Sequence, residues 1–115
     1  MRYLLLIGSE TKTGAPPSPS QTQATLQAFM RFSEEAQKAG KTIVAERLRP
    51  EGEASRVRVK AGRHQVTDGP FAETKEALGG FYLLECASRE EALEWAKKVP
   101  IGEGGVVDVR PVWTM

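Results

Sequence analysis

A chain of 115 residues, 40% hydrophobic and 27% charged, has the make-up of a soluble globular domain and not of a disordered segment. Sixteen basic against fifteen acidic residues leave a formal charge of +1, which excludes the strong positive field that nucleic-acid binding draws on. One cysteine and one histidine exclude a disulfide-stapled scaffold, a Cys-rich zinc site and a multi-histidine metal centre. At this length folding can bury about two-thirds of roughly 18,000 Å² of chain surface, enough for one core, so residues 1–115 read as a single domain.

Tyr3-Leu4-Leu5-Leu6-Ile7 is short and continuously apolar, the pattern of a strand buried on both faces. It is the longest apolar run, far short of a membrane span, and Met1-Arg2 before it gives no signal peptide. A cytoplasmic setting is expected. Residues 9–20 hold three prolines and read as a loop, stiff and extended at Pro16-Pro17-Ser18-Pro19. Ser20 and Gln23 have the spacing of a capping box and open a helix. Phe29, Phe32, Ala36 and Ala39 form its buried stripe, and Gly40 stops it.

Thr42 to Leu48 is the second predicted strand. Arg56-Val57-Arg58-Val59-Lys60 alternates, with valines expected inward and cations outward. Ala61-Gly62 is the turn and Arg63 to Thr67 the return strand of a hairpin. After Gly79-Gly80 comes the strand Phe81 to Cys86. Ser88 and Glu91 form a second capping box. Ala92, Trp95, Ala96 and Val99 make one apolar helix face, ended by Pro100. Val106 to Trp113 is the last strand, with Trp113 placed to reach a subunit contact. Cys86 has no basic neighbour in sequence and reads as a buried, inert thiol.

With the hairpin removed the order is β-α-β-β-α-β, the ferredoxin-like α+β arrangement. Two helices cannot cover both faces of such a sheet. They should share one and leave the other open to water, a ligand or a second subunit.

The segment Asp68-Gly69-Pro70-Phe71 combines a permissive glycine with a fixed proline, and Asp68 can close the corner by bonding downstream amides. Such a corner would hold Asp68 near Glu73, a carboxylate pair able to divide acid and base roles. Lys75, Tyr82 and Arg110 are candidate ligand-binding neighbours, and His64 on the hairpin is a titratable supporter. No metal or organic cofactor is called for by these residue types. A salt-bridged structural turn is the alternative reading of the same residues.

Asp68-Gly69-Pro70-Phe71, followed by Ala72-Glu73-Thr74-Lys75-Glu76 and Gly79-Gly80-Phe81-Tyr82, closely resembles the signature of the DGPF branch of the YCII-related family. The opening Arg2–Ile7 and the closing Val109-Arg110-Pro111-Val112 extend the likeness over nearly the whole chain. The resemblance implies a ferredoxin-like subunit paired into a dimeric α+β barrel, in a small bacterial cytoplasmic protein. It also implies, for some members, association with extracytoplasmic-function sigma factors. The wider family has proposed enzymes with a His on the first helix and an Asp before the proline after the second. Here Phe29 or Met30 and Val99 stand at those places, so that dyad does not carry over. The leading expectation is a small polar or anionic molecule bound beside the Asp68 corner, with cofactor-free acid–base chemistry. The alternative is a non-catalytic interaction or regulatory module tied to such a sigma factor.

Overall fold

The computed structural model describes residues 1–10, 18–69 and 76–113. Its elements are β1 (Arg2–Glu10), α1 (Pro19–Lys38), β2 (Thr42–Arg47), a short 3-10 turn (Glu51–Glu53), β3 (Ser55–Lys60), β4 (Arg63–Asp68), β5 (Glu76–Glu85), α2 (Arg89–Lys98) and β6 (Gly105–Pro111). This is a mixed α+β fold. Four strands form an antiparallel sheet in the order β2-β5-β1-β6, and β3-β4 form a separate two-stranded sheet.

Alternation along the strands sorts the side chains. Tyr3, Leu5 and Ile7 of β1 and Tyr82 and Leu84 of β5 are buried, and they cluster with Phe32 of α1 and Ala92 and Ala96 of α2. Leu5 stands opposite both Tyr82 and Val109, so these residues share one face of the sheet. Both helices therefore cover that face, as the two-helix argument expects. The other face carries Leu4, Leu6, Phe81 and Leu83, all half-buried, with Val44 beside Leu83.

Three local readings are corrected. Helix α1 is capped by Ser18, whose Oγ accepts from the Gln21 amide at 3.2 Å while Gln21 Oε1 accepts from the Ser18 amide at 2.9 Å. Ser20 and Gln23 have the same spacing, but Pro19 is pre-organised for the first helical position and favours the earlier cap. Strand β5 begins at Glu76 and runs through both glycines, with a bulge where Ile7 pairs with Gly80 and Gly8 with Leu78. The hairpin valines are not inward. Val57, Val59 and Val66 are 60–69% exposed, because none of the described residues packs on that side of the arm.

The turn itself is as expected: Ala61 and Gly62 both take positive φ (52° and 76°), the pairing of a tight two-residue hairpin. Gly40 likewise ends α1 at φ 72°. At α2, Ser88 caps the Glu91 amide at 3.2 Å, while the Glu91 carboxylate turns to Lys41. Trp113 is 86% exposed. Among the described residues no helix is long and apolar enough to cross a membrane.

Candidate functional site

The hairpin register brings Ser55 opposite Asp68, which lies at the end of β4. The Ser55 hydroxyl donates to Asp68 Oδ1 at 3.1 Å, and the Gly69 amide donates to the Ala54 carbonyl at 2.7 Å. These two bonds close the base of the arm. The 3-10 turn below it is braced by Arg49 Nε on Glu53 Oε1 at 2.8 Å. Asp68 is thus tied to a serine thirteen residues back, while the downstream amides expected to bond it lie outside the described residues.

Opposed residues of an antiparallel pair share a face. Ser55, Val57, Val59, His64, Val66 and Asp68 therefore line one side of the arm, and Arg56, Arg58, Lys60, Arg63, Gln65 and Thr67 the other. Asp68 and His64 stand on the same exposed side with the valines between them.

The remaining candidates do not gather there. Tyr82 points into the core, where its ring meets Phe32 edge-on at 5.0 Å and its hydroxyl shares a 2.6 Å hydrogen bond with Ser33. Arg110 of β6 pairs with Leu4 of β1 and so lies on the opposite side of the sheet from Tyr82, exposed to water. Tyr82 and Arg110 therefore stand on opposite faces of the sheet. Glu73 and Lys75, with Pro70 and Phe71, lie outside the described residues. Among the described residues, no three His, Cys, Asp or Glu side chains come together to hold a metal ion.

A second polar cluster escaped the sequence reading. Lys41, just before β2, reaches Glu91 Oε1 on α2 at 2.7 Å, next to buried Cys86. The hydrogen bond from Lys41 holds the Glu91 carboxyl below its ordinary range, and the same bond raises Lys41. Burial, then the nearby Glu91 charge, pushes the Cys86 thiol up. The signal was the Lys41 position beside Gly40, which the helix stop sends back toward the sheet.

Two expectations follow. Cys86 should react with a disulfide-exchange reagent only on unfolding; labelling of the native chain at the unfolded rate would place the thiol at the surface. The ion pair should work over a defined window. Glu91, held low, adds stability above the carboxylate range that is lost as pH falls through its depressed value. Lys41, held high, adds stability that is lost only as pH rises through its raised value. Lys41→Gln should flatten the acid limb of stability in urea melts taken from the ordinary carboxylate range downward. An unchanged acid limb would mean the pair is solvated away.

Comparison with known proteins places these features in a lineage. The YCII-related domain matches residues 1–115. A protein of Rhizobium meliloti (strain 1021), itself described as uncharacterized, is 35% identical over 114 residues, which span 97% of this chain and 92% of the relative.

Proposed function

Since the chain belongs to the YCII-related family, we propose that it is a non-catalytic protein-interaction module, a ferredoxin-like subunit that pairs through the open face of its sheet into a dimeric α+β barrel. The strand order β2-β5-β1-β6, with the arm set aside, supports the ferredoxin-like reading. The signature Asp68–Phe71 supports placement in the DGPF branch. The observation that carries the proposal is the apolar band Leu4, Leu6, Phe81, Leu83 and Val44 on the face without helices. A contiguous apolar patch of this kind marks an interaction surface. Glu46 and Asp108 border it, opposite Phe81 and Leu6, as the polar rim of an interface. The sigma-factor association implied by the resemblance, in a bacterial cytoplasm, is one use of such a module.

Sedimentation equilibrium tests the pairing. The wild-type chain should be dimeric at low micromolar concentration. Leu83→Lys, which sets a charge in the apolar band, should leave a folded monomer. A wild-type chain still monomeric at about 100 µM, or a Leu83→Lys dimer of wild-type affinity, overturns the reading.

A small polar or anionic ligand beside Asp68 is the second reading. Its support is an exposed carboxylate held in place by Ser55. Asp68→Asn keeps an acceptor for Ser55 and removes the charge. On the interaction reading its stability should change by less than about 1 kcal/mol, within the range of one exposed hydrogen bond. Any metabolite that raises the melting temperature should then do so equally in both proteins. A thermal shift present in the wild type and lost in Asp68→Asn would favour the ligand reading.

A further inference from the structure

The chain exposes 8,753 Å², whereas a folded monomer of its 12.6 kDa mass is expected to expose roughly 6,200 Å². The excess exceeds the ~800 Å² that one partner of a standard interface buries. Its radius of gyration is 16.1 Å, against about 13 Å for a compact chain of this length. The extents are 45 × 44 × 18 Å. A thickness of 18 Å holds the sheet and one layer of helices, and a further layer would add about 10 Å. The arm therefore projects outward and does not fold back over its own sheet.

One side of that arm is a row of valines. Val57 faces Val66, Val59 faces His64, and the three valines are 60%, 69% and 69% exposed. A two-stranded hairpin is marginal by itself in water and needs a packed face. Among the described residues no part of the same chain supplies one.

We infer that the 55–68 arm is a clasp for a second copy of this chain, its Val57–Val59–Val66 side seated on the partner subunit so that Asp68 and His64 line the junction between subunits. This rests on the pairing through the open sheet face and extends it to the arm. A second copy fits better than a foreign partner on three grounds. The surplus surface, roughly 2,550 Å², is larger than one standard interface removes and leaves area for a second contact. The +1 net charge lets like chains approach without strong repulsion. The same molecule carries an exposed valine row and a half-buried apolar band on the sheet, so one pairing can cover both. The signature corner then gains a role independent of chemistry, since Gly69 and Asp68 fix the arm's base through Ala54 and Ser55.

The experiment compares the Val57→Lys/Val66→Lys double variant, Gln65→Lys and Leu83→Lys by sedimentation equilibrium. Gln65 lies on the opposite side of the arm and controls for added charge. The double variant should weaken dimerisation about 100-fold, as expected for losing central apolar contacts, while Gln65→Lys should change it by less than about 3-fold. Because these valines are exposed in the single chain, circular dichroism of the monomer should be unchanged. If the double variant dimerises with wild-type affinity while Leu83→Lys does not, the clasp is wrong and the sheet pairing stands. If the wild type does not dimerise, both fall. A polarity-sensitive dye on Val59→Cys gives a second readout, with Cys86 buried and unlabelled. Its emission should shift to the blue over the concentration range of dimerisation. Constant emission through that range overturns the clasp. A blue shift prompted only by anionic vesicles or by nucleic acid also overturns it, assigning the arm to another partner.

Discussion

Replacing Phe32 by alanine should cost about 3–5 kcal/mol, the range for a buried aromatic, and Trp95→Ala should cost less, about 2 kcal/mol. Phe32 is 3% exposed at the centre of the core. Its ring stands edge-on to Tyr82 at 5.0 Å and lies near Trp95 at 6.2 Å, so its removal strips contacts from both. It also removes the wall beside the Tyr82 hydroxyl that is bonded to Ser33. Trp95 is only half-buried. Lys98 lies over its ring at 4.8 Å and is itself held by Glu35 at 2.6 Å, so that side of the indole meets a lysine and water. The apolar spacing of α2 places Trp95 in the core, but Ala92, Ala96 and Val99 occupy the deepest positions. Urea unfolding at one fixed protein concentration decides the order, since any dimer makes apparent stability depend on concentration. Equal losses, or a larger loss at Trp95, would mean that the indole and not Phe32 centres the core.

These two aromatics show what a sequence discloses. Periodicity says which residues share a face. It is silent on how deep that face lies, because depth depends on what the rest of the chain lays over it. Thus Phe32 and Trp95 look equivalent by spacing and differ in burial. The valines of the arm fail for the same reason: alternation groups Val57, Val59 and Val66 correctly, yet their side of the hairpin has no neighbour among the described residues. Local chemistry is read more safely. The Ala61-Gly62 turn and the Gly40 stop follow from backbone sterics alone. The α1 cap shows the limit of that safety, since Ser18–Gln21 and Ser20–Gln23 are equally good boxes and only Pro19 separates them. At the candidate site, Ser55 was legible by counting equal steps back from the turn to Asp68. Tyr82 and Arg110 required the register of β5 and β6 against β1, a long-range pairing that local sequence does not carry.

Gly79 and Gly80 are adjacent and should respond oppositely to substitution. Gly80 pairs with Arg47 on edge strand β2, and a Cβ there would stand 2.9 Å from the Glu46 carbonyl oxygen and 3.5 Å from the Arg47 Cα. Both obstacles are backbone, so no side chain can swing aside. Gly80→Val should cost about 3 kcal/mol or slightly more, the upper range for overpacking a filled site. The damage should appear first in β2, whose amides should lose hydrogen-exchange protection before those of β1 and β6. Gly79 is the extra residue of the bulge opposite β1, where the nearest atom to a new Cβ is the Ile7 carbonyl oxygen at 3.7 Å, an ordinary contact. Gly79→Ala should therefore be neutral, or stabilising by less than about 1 kcal/mol through the lost freedom of the unfolded chain. Urea melts of the two variants test the pair. If Gly80→Val is tolerated, β2 must be able to move away from β5 at little cost. The closeness of the two backbones would then not be what requires glycine at this position.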